Sequence, residues 1–124
     1  MRRWVGKTLV LIGILHSLFG LVFMGPVLKE LASDGLVNTV NGQPEREAVF
    51  WFLYTGFALI LLGAVVDWIE ARHAVVPLFL AWALLASTLV ALVVMPASGF
   101  WLLLVPVAGM FTHRKSSQAK PEAA

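Results

Sequence analysis

The sequence contains no cysteine, and charged residues make up only 13% of its 124 positions. Without cysteine the chain cannot form disulfides, cysteine nucleophiles, thiolate zinc sites or cysteine-ligated iron–sulfur clusters. A soluble domain carries roughly 25% charged residues, and this chain falls far below that level. Hydrophobic residues account for 60% of the sequence instead. This composition indicates a single small domain that folds in lipid.

The net charge of +2 and the sequence pI of about 9.4 are values that proteins binding nucleic acid also show. The basic residues, however, lie near the chain ends and beside apolar runs. Basic residues at such positions orient a protein in a membrane. We therefore expect the lipid bilayer as partner and no nucleic acid.

Long uncharged runs divide the chain into four predicted membrane spans, at about 8–28, 48–66, 75–95 and 98–112. A helix of 21 residues is about 31 Å long, close to the ~30 Å thickness of the hydrocarbon core. The stretch 74–112 is too long for one helix, and Pro96 to Gly99 supply the break. The first run exceeds the about 7–15 apolar residues of a signal peptide, and no cleavage pattern follows it. We expect it to be retained.

The resulting prediction is an all-α fold, an integral membrane bundle of four transmembrane helices. Residues 1–113 would form one domain, and residues 114–124 a disordered tail. The N-terminus, the link at 67–73 and the tail then share one side, which carries seven Lys and Arg against two on the other. The positive-inside rule places both termini in the cytoplasm. Trp4 and Trp68 would lie at the cytoplasmic interface, and Trp51 and Trp101 at the outer one.

Glycines recur at intervals of seven residues in the first two spans. Such a spacing drifts only ~20° per step around a helix, and it therefore forms one stripe. Small residues on a stripe allow helices to approach closely in lipid. We predict helix packing at Gly13, Gly20, Gly56 and Gly63. Ala83, Ser87 and Ala91 give the third span a small-residue row of its own.

His16 is the one ionisable side chain deep inside a predicted span. Such residues are candidates for function, although a neutral histidine can also bond a carbonyl across a helix bundle. We favour packing over a role with a proton, ligand or haem. Paired haem ligation fits poorly because His73 and His113 fall at the cytoplasmic edge, ~12 Å from the depth of His16. We expect no cofactor.

Polar residues also gather at the cytoplasmic edge, and no metal-ligand spacing occurs among them. We interpret them as an interfacial ion-pair cluster, in which Arg72, Arg114 or the N-terminal arginines neutralise the carboxylates. Without a nucleophile motif or phosphate loop, we expect no metal, no catalytic residues and no enzyme activity. The members are Asp67, Glu70, Arg72, His73, His113 and Arg114.

Several motifs together carry a family resemblance: G-x2-H-x3-G at 13–20, DGLVNTVNGQPER at 34–46, AVFWF at 48–52, VDW at 66–68 and MPASGFWL at 95–102. The chain resembles a family of small bacterial four-helix membrane proteins known only as a domain of unknown function. A more distant similarity to DoxX-like proteins is one of architecture. The resemblance implies four spans, the bacterial inner membrane and no assigned activity. Its candidate functional positions are His16, Asn38, Pro44, Arg46, Trp51, Asp67 and the turn at 96–101.

The leading functional hypothesis is a non-enzymatic inner-membrane protein that acts by association. It would form a self-oligomer, or serve as an accessory membrane subunit, through the glycine faces of the first two spans. The alternatives are a small proton-coupled transporter that uses His16 and a membrane protein that binds a cofactor.

Overall fold

The computed structural model describes residues 3–118, and within that range the chain is helical, without strands. The all-α prediction is therefore confirmed. Two helices, α1 and α3, are long and apolar enough to cross a membrane, whereas α4 is apolar but shorter. The helices are α1 Val5–Phe23, α2 Gly25–Ser33, α3 Pro44–Ala71, α4 Leu78–Val94 and α5 Leu104–Gln118, and a 3-10 helix at Gly99–Leu103 precedes α5.

The chain divides into two compact units. One contains the residues up to Leu9 together with those from Leu62 onward, and the other is Val10–Leu61. Helices α1 and α3 each contribute residues to both units. In the first unit Val5, Leu9 and Val66 are buried.

The first predicted span, 8–28, is not one helix. Helix α1 ends at Phe23, and α2 begins at Gly25 with a proline in its first turn. That residue is Pro26, whose missing N–H and bulky ring disfavour continuation of a helix but suit a first turn. The predicted continuous span was wrong in its last turn. The short helix α2 buries Leu31 and exposes charged residues on its other face.

The predicted tail also begins too early. Helix α5 continues through Gln118, which contradicts disorder over residues 114–118. No glycine or proline interrupts the sequence between Gly109 and Pro121. Lys115 lies in the last turn, where a cation interacts favourably with the helix dipole. The rest of the predicted tail, 119–124, lies outside the described residues.

The turn between α4 and α5 has its own hydrogen bonds. Helix α4 ends at Val94, and Ser98 then caps the 3-10 helix by accepting from the backbone N–H of Phe100. The indole Nε1 of Trp101 donates to the carbonyl of Pro96 over 2.9 Å. Pro106 lies in the first turn of α5, where its missing N–H leaves no helical hydrogen bond unmade. The predicted fourth span therefore starts as a 3-10 helix and becomes α-helical just before this proline.

Candidate functional site

Glu70 caps the start of α1. It lies in α3, is only 1% exposed, and accepts hydrogen bonds from the backbone N–H groups of Val5 at 3.3 Å and Gly6 at 3.0 Å. The first N–H groups of a helix have no partner inside the helix, and a negative charge there is favourable. Glu70 was expected in an ion-pair cluster, and its role as a cap was not predicted. No local signal could have revealed it because the residues are 64 and 65 positions apart.

Asp67 lies one turn before Glu70 and forms an ion pair with Arg3, at 2.8 Å between Oδ2 and Nη2. Gly6 allows the backbone of α1 to lie close to Asp67, because a Cβ on Gly6 would lie 2.6 Å from the Cα of Asp67. The other oxygen of Asp67, Oδ1, is buried and accepts no hydrogen bond from the described residues. Arg3 is thus one of the N-terminal arginines expected to neutralise these carboxylates.

His113, in α5, lies close to the carboxylate of Glu70. Its Nδ1 lies 3.6 Å from Oε1 of Glu70, and its ring contacts Trp4 edge to face at 5.7 Å. Gly109 makes room for Trp4, since a Cβ there would lie 2.6 Å from the indole ring. We call Arg3, Trp4, Asp67, Glu70 and His113 the Glu70 cluster.

The other predicted members of the ion-pair cluster make different contacts. The guanidinium of Arg72 lies over the ring of Trp68, 3.7 Å from its centroid. His73 is exposed, has a φ of 54°, and follows the end of α3. Arg114 is half-buried in α5. The structure therefore brings together Asp67, Glu70 and His113 with residues from the start of the chain.

His16 bonds the backbone of α3. Its Nε2 lies 2.8 Å from the carbonyl oxygen of Phe52. Because a carbonyl can only accept, Nε2 carries the hydrogen and donates it. The imidazole also stacks on the ring of Phe52, with centroids 3.9 Å apart and planes 14° from parallel. These contacts orient the ring and define one of its nitrogens as a donor.

The glycines of α1 and α3 face each other within the unit Val10–Leu61. A Cβ on Gly13 would lie 2.7 Å from the side chain of Ile60, and one on Gly56 would collide with Ser17. A Cβ on Gly20 would lie 2.8 Å from the ring of Phe52. These helix faces are therefore already occupied by contacts within the chain. Gly63 is buried in the other unit.

Arg46 connects α3 to α2 and to the loop between them. Its side chain is 11% exposed, and Nη2 lies 2.6 Å from Oδ2 of Asp34 and 3.9 Å from Oε2 of Glu30. Its Nη1 donates to the carbonyl of Thr39 over 3.1 Å. A guanidinium with several donors in a planar array suits such a set of partners. The sequence singled out Arg46, but not these contacts.

The loop held by Arg46 has an unusual backbone. Four of its residues have a positive φ: Gly35 at 90°, Leu36 at 66°, Asn38 at 55° and Gly42 at 78°. Glycine and asparagine adopt this region readily, whereas leucine does so at a cost. The N–H of Gly42 donates to Oε1 of Glu47 over 2.8 Å. The hydrogen bonds of Arg46 and Glu47 thus hold the loop between α2 and α3.

A groove of about 460 Å³ lies between this loop and α3. Trp51 is 61% exposed there, and its ring contacts Phe50 at 5.3 Å and Tyr54 at 5.9 Å. Two of the positions that the motifs indicated, Asn38 and Trp51, share this groove, while Pro44 and Arg46 line a neighbouring hollow. The Trp51 groove is lined by Leu36, Asn38, Thr39, Val40, Asn41, Glu47, Phe50 and Trp51.

The described residues contain no group of three or more metal-binding side chains arranged to hold an ion. No curated protein and no solved structure matches the chain. Residues 1–117 match a family of unknown function, DUF6463, which confirms the uncharacterised family that the motifs indicated. With 117 of its 124 residues matched, the chain belongs to the family DUF6463.

Proposed function

We propose that this protein is a multi-pass component of the bacterial inner membrane. It crosses the bilayer four times, has both termini in the cytoplasm, and acts by association rather than by catalysis. The observation that carries the proposal is the exposure of its longest apolar helices. In the most apolar 18-residue stretches of α1 and α3, only 28% and 22% of the residues are buried.

This low burial argues against the common alternative for an apolar helix. The core helix of a soluble protein is mostly buried, because burial of apolar surface is what stabilises it in water. Helices α1 and α3 instead turn large apolar side chains outward, and a soluble protein rarely exposes such a continuous apolar surface. The exposed residues include Leu11, Leu15, Val22, Phe23, Phe57 and Leu61.

The contacts of α1 also favour its retention in the mature protein. A signal sequence is removed, and the remaining protein folds without it. Here the start of α1 is capped by Glu70, and its glycines contact α3. Removal of α1 would leave the buried carboxylate of Glu70 without its two backbone donors, which is costly.

The distribution of polar residues supports the orientation. The first unit contains Arg3, Lys7 and Arg72, whereas the carboxylates of Asp67 and Glu70 bond to groups of the same unit. Trp68 is exposed beneath Arg72, as expected for an aromatic ring at a membrane interface. These features suit the cytoplasmic side.

Reporter fusions test the number of spans. We would insert a reporter that is active only outside the cytoplasm after Asn41, His73 or Ser98, or at the C-terminus, and a second reporter that is active only inside. Four spans require outside activity at Asn41 and Ser98 and inside activity at His73 and the C-terminus. The Ser98 fusion is decisive, because a two-span protein would keep it inside. Inside activity at Ser98 would therefore refute four spans.

A separate experiment tests integration itself. Membranes from cells that express the untagged chain are washed with alkaline carbonate, which removes peripheral proteins. We expect the chain to stay with the membranes, and a resident peripheral protein of the same cells serves as control. Release of the chain with that control would refute integration.

Association must use a surface other than the glycine faces, because Gly13 and Gly56 contact α3 and α1 within the same chain. Helix α4 offers such a surface, since Ala83 and Ser87 lie one turn apart and are exposed. Small residues at this spacing support helix association in lipid. We expect an oligomer or a complex that Ser87→Leu disrupts.

Native mass spectrometry of the protein released from nanodiscs measures this stoichiometry. Leu89→Phe is the matched control, because it enlarges an exposed side chain of the same helix away from the small-residue row. If Ser87→Leu leaves the stoichiometry and any copurified partner unchanged, α4 is not the surface of association.

The contacts of His16 favour packing over proton coupling. Its Nε2 donates to a carbonyl of α3, and its ring stacks on Phe52. Proton flux in liposomes distinguishes the two roles. Flux that is driven by a solute and lost in His16→Gln would support the transporter instead, because glutamine keeps a donor but cannot take up a proton.

A further inference from the structure

The Trp51 groove combines an exposed indole ring with a carboxylate. We propose that it binds an organic ammonium cation, such as the head of a choline or ethanolamine group. This site goes beyond the proposed function, since it concerns a ligand rather than integration or association.

The positions of Glu47 and Trp51 on α3 make the site. They are four residues apart, which places their side chains on the same helix face, one turn apart. Both line the groove. The hydrogen bond from the N–H of Gly42 to Oε1 of Glu47 orients the carboxylate. A cation in the groove would therefore lie near both a carboxylate and an indole, and indole is the best of the aromatic rings for cation–π contact.

Neighbouring rings restrict the indole. Phe50 and Tyr54 contact Trp51 at interplanar angles of 77° and 84°, so that each meets it edge to face. A side chain that is already ordered loses less conformational freedom when a ligand binds. The indole is thus positioned before the cation arrives.

The charge around the groove has the required sign. The segment 29–47 contains four acidic and two basic residues, a net charge of −2. One of the two cations, Arg46, is held by Asp34 at 2.6 Å, and this contact compensates its charge. An anion would be repelled from this surface, whereas a cation would be attracted to it.

The loop between α2 and α3, which forms one wall of the groove, has a defined course before a ligand binds. The contacts of Arg46 and the left-handed backbone at Leu36 and Asn38 determine its course. The left-handed backbone is strained at Leu36, and strain of this kind persists only where surrounding contacts hold it.

Fluorine NMR of the full chain in a nonionic detergent tests the proposal. The five tryptophans are labelled with fluorotryptophan, and the resonance of Trp51 is assigned by its absence in Trp51→Phe. Choline chloride is the probe. Its uncharged isostere, in which a quaternary carbon replaces the nitrogen, is the control ligand. We expect choline to shift the Trp51 resonance with saturation in the millimolar range, and the isostere to bind more weakly.

Two glutamate variants test whether choline binding depends on the negative charge at the groove itself or on any negative charge nearby. Glu47→Gln keeps an oxygen that can accept from Gly42 but removes the negative charge, and we expect choline affinity to fall about two- to fivefold. Glu45→Gln removes the same charge from a residue that lines the neighbouring hollow, and we expect a smaller change. Unchanged resonances of the other four tryptophans show that each variant is folded.

A comparison of lipids identifies the source of the cation. The choline titration is repeated in nanodiscs of phosphatidylglycerol with and without phosphatidylethanolamine. Weaker choline binding with phosphatidylethanolamine identifies a lipid headgroup as occupant, and unchanged binding identifies a soluble cation. The proposal is overturned if about 100 mM choline gives no saturable shift, if the isostere binds equally well, or if both glutamate variants behave alike. Each of these results leaves the membrane topology untouched.

Discussion

Replacement of Glu70 tests how the start of α1 is held in the protein. Glu70→Ala removes a buried carboxylate that accepts hydrogen bonds at 3.3 Å and 3.0 Å from the N–H groups of Val5 and Gly6. A hydrogen bond to a charged group contributes roughly 1.5–3 kcal/mol, and a buried donor left without a partner costs about 1–3 kcal/mol. Because the Val5 contact is long, we expect a loss of about 3 kcal/mol rather than the sum of the upper values.

Glu70→Gln separates the charge from the shape. Glutamine has nearly the same size, but it offers one acceptor oxygen and places an N–H₂ group near donors. The favourable interaction with the helix dipole, worth about 0.3–2 kcal/mol, is also lost. We expect a destabilisation of about 1.5 kcal/mol, which is smaller than that of Glu70→Ala.

The assay is equilibrium unfolding of the full chain in mixed micelles, followed by circular dichroism, with amide hydrogen exchange at Val5 and Gly6 as a local readout. Glu30→Ala is the control, because the Glu30 side chain is 68% exposed and most surface changes stay within about 0.5 kcal/mol. Glu70 does not stabilise the start of α1 if Glu70→Ala unfolds like that control and exchange at Val5 and Gly6 is not accelerated.

Substitutions test three further contacts by the same unfolding assay. Gly6→Ala should destabilise the protein by more than about 3 kcal/mol, because the new Cβ would collide with the backbone of Asp67. Gly25→Ala is the control and should have little effect, since no atom lies within 4 Å of a Cβ there. Similar stabilities of the two variants would contradict the close approach of Gly6 to Asp67. His16→Phe should lower the free energy of unfolding by about 1 kcal/mol, and His16→Gln should lower it less, because only glutamine keeps a donor for the carbonyl of Phe52. The reverse order would exclude that hydrogen bond. Arg46→Lys should lose about 1–2 kcal/mol, since one ammonium cannot replace two guanidinium nitrogens, and accelerated proteolysis of the loop would locate the change.

Periodicity and composition determined the larger features from the sequence. Uncharged runs predicted apolar helices, because a helix that faces lipid needs apolar residues on every side. The seven-residue spacing of Gly13 and Gly20 predicted a narrow face on α1, and both are positions where a Cβ would collide with α3. Such features depend on local regularity, and one stretch of sequence is sufficient to recognise them.

Helix ends were predicted less well because they depend on balances within a single turn. A new helix begins at Gly25, with Pro26 in its first turn, although the apolar run continues through this point. Charged residues after Thr112 suggested the end of α5, yet they continue the helix to Gln118. Hydrophobicity defines where lipid contact can occur, whereas backbone hydrogen bonds and caps decide where a helix stops.

Only the tertiary structure decided which distant groups meet. The sequence identified Asp67, Glu70 and His16 as polar residues of interest, but it could not show that Glu70 caps α1 or that Nε2 of His16 donates to Phe52. Likewise, only the structure shows that Arg46 bonds Asp34 and the carbonyl of Thr39, and that the loop and Trp51 line one groove. A hydrogen bond depends on distances of a few tenths of an ångström between residues far apart in the chain. No periodicity in the sequence encodes those distances, and the packing of the helices determines them.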